Sequence, residues 1–168
     1  MSNQKRYLKT LELDKILNFL AQETALEDAF ECALNILPET DFEKVQGLLN
    51  NTNDAYTFMA RYSAPNFSGA KNVSSDLNRA DASAVLSMAD LLAIAETLRG
   101  IRSVKEWRAN CLGLGETSLE DLFLQLIPNK YLEEKIATAI VSEEQVSDNA
   151  SATLKEIRRK IRAASQRV

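Results

Sequence analysis

The sequence predicts an all-α chain, an irregular core of about six to eight helices whose last member is long. Three observations carry this reading. Apolar residues recur at three- and four-residue spacing through most of the 168 positions. Four of these stripes follow a Ser or Thr with an acid three residues on, a pair able to satisfy orphan amides at a helix start reciprocally. Pro and Gly stand where the stripes stop.

In chain order, a first helix starts near Asp14 and buries Ile16, Leu17 and Leu20. A second, with Thr24 and Glu27 as its capping pair, places Leu26, Ala29, Phe30, Ala33 and Leu34 on one face and ends before Pro38. A third, opened by Thr40 and Glu43, carries Phe42, Val45, Leu49, Thr52, Tyr56 and Met59 in a heptad-like seam that reads as core. Residues 63–76 hold Pro65, Gly69 and several serines without periodicity and read as a loop. A short helix containing Leu77 and Ala80 follows. The pair Ser87 and Asp90 then opens a long helix striped by Leu91, Ile94, Leu98, Ile101 and Val104.

Gly113 and Gly115 end that helix and turn the chain. Ser118 and Asp121 open the next, with Leu119, Leu122, Phe123, Leu126 and Ile127 before Pro128, and Leu132, Ile136, Ala139 and Ile140 form another. Ser142 to Asn149 is polar and reads as a tight turn. The final helix starts near Ser151, and its seam of Leu154, Ile157, Ile161, Ala164 and Val168 runs on without a capping Gly, Asn or Pro. The reading is a helical core over residues 1–150, subdivided at the 63–76 loop, and a lever helix beginning in 151–168 that the natural polypeptide continues.

With 45% hydrophobic and 26% charged residues the composition is globular. The longest apolar runs, such as Leu91 to Ala95, fall far short of the roughly 20 residues that span a bilayer. The N-terminal stretch from Met1 to Lys9 is basic but leads into Glu12 and Asp14, unlike a secretory signal. The expected location is the cytoplasm, with no membrane partner, so the sequons at Asn50, Asn66, Asn72 and Asn149 carry no weight. Cys32 and Cys111 are far apart, belong to no C-x-x-C pair, and read as buried structural thiols.

The net charge of −4 is unevenly placed. Lys155, Arg158, Arg159, Lys160, Arg162 and Arg167 face only Glu156 in residues 151–168, which leaves −9 for the rest. Lys155, Arg158, Arg159, Lys160 and Arg162 are therefore the candidate nucleic-acid contacts, against the plainer reading of a solvated helix face.

Candidate chemistry is scarce. The chain has no histidine, which excludes Ser-His and Cys-His nucleophiles and the commonest zinc ligand. The adjacent acids Glu133/Glu134 and Glu143/Glu144 point about 100° apart on a helix and read as solvated surface. Gly113-Leu-Gly115 lacks the third glycine of a dinucleotide fingerprint, and no G-x-x-x-x-G-K-[ST] phosphate loop occurs. Ser68-Gly-Ala-Lys71 and Ser147-Asp148-Asn149 match two serine β-lactamase signatures, but the third, K-T-G, is missing. No catalytic, cofactor-binding or metal-binding residue is assigned.

The order of local motifs is informative. Lys9-Thr-Leu-Glu-Leu-Asp-Lys-Ile-Leu17, then Leu37-Pro38 with Asp41 and Val45, then Leu77-Asn-Arg79-Ala80 before Val85-Leu86-Ser87 and Leu91/Leu92, resemble the second bacterial MutS paralogue family. This is the endonuclease type that lacks the mismatch-recognition domain. Val146-Ser-Asp148-Asn-Ala150-Ser151, with Leu154, Ile157-Arg158-Arg159 and Ile161, is similar to that family's D-x-A-S-x-x-L-x-x-I-R-x-x-I element. Two departures, Ser83-Ala84 and Glu144-Gln145, fall where the family favours small residues or glycine. The resemblance implies a full-length protein with a helical core and lever, a clamp, an ATP- and magnesium-dependent ATPase and a C-terminal nuclease domain. It further implies dimerisation, action on DNA or on collided ribosomes, and suppression of recombination.

These residues are then a non-catalytic core and lever segment. The rival expectation is a self-contained interaction scaffold that dimerises through Leu154, Ile157 and Ile161, and a third is direct nucleic-acid binding by the terminal helix.

Overall fold

A computed structural model describes residues 8–166; the N-terminal basic residues Lys5 and Arg6, and Arg167 and Val168 at the other end, lie outside the described residues. The helices are α1 (Leu13–Gln22), α2 (Glu27–Leu34), α3 (Phe42–Tyr62), α4 (Ser74–Asp81), α5 (Met88–Asn110), α6 (Glu120–Gln125), α7 (Lys130–Ala139) and α8 (Ala152–Ser165). A two-stranded antiparallel hairpin, β1 (Ile140–Ser142) and β2 (Gln145–Val146), and a 3-10 turn over Asp148–Ala150 lie between α7 and α8. The helical class is as the periodicity predicts. The polar stretch read as a tight turn holds the two-residue turn of this hairpin, at Glu143 and Glu144, and the 3-10 turn, and Ile140 is in the first strand rather than in a helix. Among the described residues no helix is long and apolar enough to cross a membrane.

The chain divides into two compact units, residues 1–68 with 104–126 and residues 69–103 with 127–168. In the first, α1 buries Leu17 and Ala21, whereas Ile16 and Leu20, expected inside, are exposed. Thr24 does not open α2: its hydroxyl donates to the Ala21 carbonyl at 2.7 Å, closing α1, and Leu26 stands at the α2 start without a side-chain cap. Exposed Cys32 corrects the expectation of a buried thiol, while Cys111 is buried. The cap of α3 is Asp41, one residue past Thr40, and its carboxylate accepts from Lys44 N–H at 3.1 Å.

The seam predicted on α3 also faces the other way. Phe42, Leu49, Tyr56 and Met59 are exposed, and Phe58 is the buried residue of this helix. Its ring lies 5.6 Å from that of Trp107 on α5 and 5.9 Å from that of Phe123 on α6, centroid to centroid, and Trp107 and Phe123 are 6.2 Å apart. Tilted and edge-on aromatic packing of this kind adds to area burial. The Arg108 guanidinium lies 5.0 Å from the Phe58 centroid and pairs with Glu120. Ser118 is not a helix cap either: its N–H and hydroxyl both donate to the Asp54 carboxylate at 2.8 Å, tying the chain before α6 to the middle of α3.

In the second unit the core is Ile94 and Ala95 of α5 against Ile136 of α7 and Ile140 of β1, with Val73, Leu86, Leu91, Leu98 and Ala139 around them. Here the capping pair forms as predicted: Asp90 accepts from Ser87 N–H at 2.8 Å and its own N–H donates to Ser87 Oγ at 3.2 Å. Buried Gly100 lets the chain at Ala70 approach α5, since an added Cβ would stand 3.5 Å from Ala70 Cβ.

Glu133 corrects the reading of a solvated acid. It is 5% exposed, accepts from Arg102 Nε and Nη2 at 2.9 Å each and from Arg99 Nε at 3.2 Å, and is the buried charged residue of this unit's helix pair. The Arg102 guanidinium, and after it Arg99, hold its carboxyl below the ordinary value of 4.5 against burial, which pushes the other way.

Replacing Phe58 by Ala removes the centre of the aromatic cluster and should cost about 3–5 kcal/mol. Urea unfolding followed by the fluorescence of Trp107, the one tryptophan of the chain, checks this; a loss under about 1 kcal/mol would show that the cluster does not hold the first unit together.

Candidate nucleic-acid interface

The candidate basic residues are placed by the segment that precedes them. Ser147 N–H donates to the Ala139 carbonyl at 2.8 Å, closing the hairpin onto the end of α7. The chain then makes the 3-10 turn, whose Asn149 N–H donates to Ser147 Oγ at 3.1 Å. Ser151 caps α8 by accepting from Leu154 N–H at 3.1 Å. Serine suits both positions because its short side chain reaches amides that lack an intrahelical partner.

Asp148 sits in that turn and is tied to the middle and the last turn of α8. Arg158 Nη1 donates to Asp148 Oδ1 at 2.6 Å and to the Val146 carbonyl at 2.8 Å, and Arg162 Nη2 donates to Asp148 Oδ2 at 2.9 Å. Arg158, then Arg162, hold the Asp148 carboxyl below its ordinary value of 3.8. The two arginines are one helical turn apart, so a single carboxylate spans both.

Of the five candidate residues, Lys155, Arg158, Arg159 and Arg162 fall within an arc of about 100° on α8. Lys160 does not join them: it lies on another side of the helix and pairs with Glu156 at 2.8 Å, an i,i+4 pair. Lys155 and Arg159 are exposed and, among the described residues, have no ion-pair partner. Beside this basic arc runs an apolar stripe on which Ile157 and Ile161 are 49% and 58% exposed. The arrangement sets two cations without an ion-pair partner among the described residues beside two guanidiniums anchored on Asp148, along one side of α8. Composition marks the basic helix, and the D-x-A-S-x-x-L-x-x-I-R-x-x-I element includes both Asp148 and Arg158, but no periodic signal in this polar stretch pairs the two.

No family model matches the chain. Curated relatives do. The protein named Endonuclease MutS2 of Acetivibrio thermocellus is 33% identical over 168 residues, which is 98% of this chain and 21% of that protein. The Endonuclease MutS2 of Ruminiclostridium cellulolyticum is 36% identical over 161 residues, 95% of this chain and 20% of its own length. That of Agathobacter rectalis is 32% identical over 165 residues, 98% and 21% respectively. The chain belongs to the MutS2 family. It spans about a fifth of the length of the relatives it matches.

The match takes in both compact units of this MutS2 segment. No G-x-x-x-x-G-K-[ST] phosphate loop occurs in the sequence of this segment. Gly113, at φ 88°, serves the connection after α5 and leads to no lysine-ended loop. Among the described residues no group of three or more His, Cys, Asp or Glu could hold a metal ion.

Because Asp148 titrates below its ordinary value, its tie to α8 is complete above pH 3.8 and is lost as pH falls below that. Asp148→Asn should therefore speed amide hydrogen exchange in α8 around Arg158 and Arg162 at neutral pH, and the difference from wild type should close on acidification. Unchanged exchange at neutral pH would remove Asp148 from this role.

Proposed function

We propose that this MutS2 segment is a non-catalytic helical core and lever of a larger cytoplasmic endonuclease, whose ATP-, magnesium- and nuclease-dependent chemistry lies in other parts of the polypeptide. The single observation that supports it most strongly is the extent of the match. Almost all of this chain aligns with only about a fifth of proteins named Endonuclease MutS2. In this reading α8 is the lever. Its stripe of Ile157 and Ile161 takes further helical packing, and its basic arc lies along nucleic acid, whether DNA or the RNA of a stalled ribosome. Dimerisation, recombination suppression and ribosome rescue belong to the whole protein in this proposal.

The binding component has a direct test in fluorescence anisotropy with a labelled DNA duplex over a salt series. Counterion release makes log affinity fall with log salt by about 0.9 per phosphate neutralised. Lys155→Ala with Arg159→Ala should weaken binding on every duplex alike and reduce the slope by about two. An unchanged slope and affinity would leave the basic arc as a solvated face. For the non-catalytic component, supercoiled plasmid incubated with the chain and magnesium should stay intact; nicking that co-purifies with the chain would place nuclease chemistry inside these residues.

A further inference from the structure

Two arginines converge on one carboxylate at two places in the chain, and the two places differ in their access to water. At Glu133 the acid is 5% exposed and lies beside the core of its unit. At Asp148 the acid side chain and that of Arg158 are each 34% exposed, and that of Arg162 is 64% exposed. Ion pairs this open contribute little to stability, because water and dissolved ions compete for both partners. The Glu133 site is closed to a competing anion, and the Asp148 site is open to one.

The carboxylate of Asp148 fills a seat that suits any oxyanion. A guanidinium carries its donors in a planar fork that matches carboxylate and phosphate oxygens alike. Arg158 engages Asp148 through Nη1 alone and Arg162 through Nη2 alone, one to each carboxylate oxygen. Neither contact is the two-bond fork that makes such pairings strong, so each arginine has donors to spare for a larger anion. Along the same arc Lys155 and Arg159 have no ion-pair partner among the described residues. Four cations against one carboxylate leave a surplus of three positive charges on this side of α8. The row runs about 10 Å along the helix, the rise over seven residues. A polymer of repeating phosphates can meet such a row at several points, and a lone anion cannot.

We propose that Asp148 is an internal stand-in for a nucleic-acid phosphate: it occupies Arg158 and Arg162 in the free chain, and a phosphodiester backbone drawn in by Lys155 and Arg159 displaces it. The inference rests on the nucleic-acid reading of α8 and adds the regulation of that site. Displacement has a structural consequence. Asp148 belongs to the 3-10 turn between the hairpin and α8, so its contacts tie the helix back to the segment that precedes it. The Ser151 cap and the bond from Arg158 Nη1 to the Val146 carbonyl do not involve the carboxylate. The helix therefore keeps its start, and its last turn, at Arg162, comes free of the hairpin side. Nucleic-acid binding and the docking of that last turn exclude each other.

A double-mutant cycle tests it, read by fluorescence anisotropy with a labelled DNA duplex at one salt concentration. The four chains are wild type, Asp148→Asn, the pair Arg158→Ala with Arg162→Ala, and all three substitutions together. Asp148→Asn should bind about ten-fold tighter, the gain of charge-assisted contacts that no longer have to be taken from a carboxylate. The arginine pair should weaken the Asp148→Asn chain by about the same factor and wild type by no more than about two-fold, because in wild type the phosphate contacts are offset by the loss of Asp148. A gain from Asp148→Asn that persists without the arginines would show that the acid acts only through its charge on the whole face, and would overturn the proposal. So would an Asp148→Asn chain that binds as wild type does; the nucleic-acid reading would then still stand if Lys155→Ala with Arg159→Ala weakens binding. Failure of every chain to bind would remove both. A second measurement needs no substitution: in wild type saturated with duplex, the guanidinium N–H signals of Arg158 and Arg162 in NMR spectra should leave their free positions, and signals that stay would show Asp148 still in place and overturn the proposal.

Discussion

The second unit is organised around a carboxylate that has been taken out of water. Glu133 lies on the face of α7 that also carries Ile136, and Ile140 continues it into β1, so its charge sits beside the apolar contact with Ile94 and Ala95 of α5. Burying a carboxylate costs several kcal/mol unless donors replace the lost water. Arg99 and Arg102, three residues apart on α5, supply them. Sliding α7 by one helical turn, about 5.4 Å, would carry Glu133 past both guanidiniums, so the ion pair admits one register where apolar packing alone would tolerate several. The hairpin and the start of α8 are attached to the far end of α7, through Ser147 and the Ala139 carbonyl, and inherit that register.

Much of the helical layout can be read from the residues, and the failures have a common physical cause. Ser87 and Asp90 form the expected reciprocal cap, whereas Thr24, Thr40 and Ser118 match the same pattern and do other things. A short hydroxyl before an acid is satisfied by whichever orphan group lies nearest, and for Ser118 that group is Asp54, 64 residues away in sequence. Distance in sequence also hides Glu133. Its adjacency to Glu134 suggests solvent, and only the fold brings Arg99 and Arg102 to it. On α3 the periodicity is right and the inference drawn from it is not: heptad spacing reports that a stripe is apolar, and which stripe meets the core is decided by the aromatic residues, Phe58 with Trp107 and Phe123. The basic arc on α8 is legible in composition; Asp148, which anchors two of its members, lies in a turn without apolar periodicity and is marked only by its place in the D-x-A-S-x-x-L-x-x-I-R-x-x-I element, which does not say what it binds. The order of the motifs, by contrast, points to the MutS family relationship that the curated relatives establish.

Two helices thus present apolar stripes to the outside, and their flanks separate them. The α8 stripe is flanked by Arg158 and Lys160. The α3 stripe lies among uncharged residues and ends beside an apolar groove.

The account depends most directly on Glu133, and urea unfolding of wild type and Glu133→Gln from neutral pH down to pH about 3 tests it. The folded carboxyl titrates below its ordinary value of 4.5, so its stabilisation is complete above that pH and is lost as pH falls through the folded value. At neutral pH the variant should be less stable by about 2–3 kcal/mol, at or below the low end for a broken buried pair because both arginines left behind reach water. That gap should narrow on acidification below pH 4.5. Equal stabilities at neutral pH, or a gap that does not change with pH, would contradict a buried carboxylate as the element that sets the register.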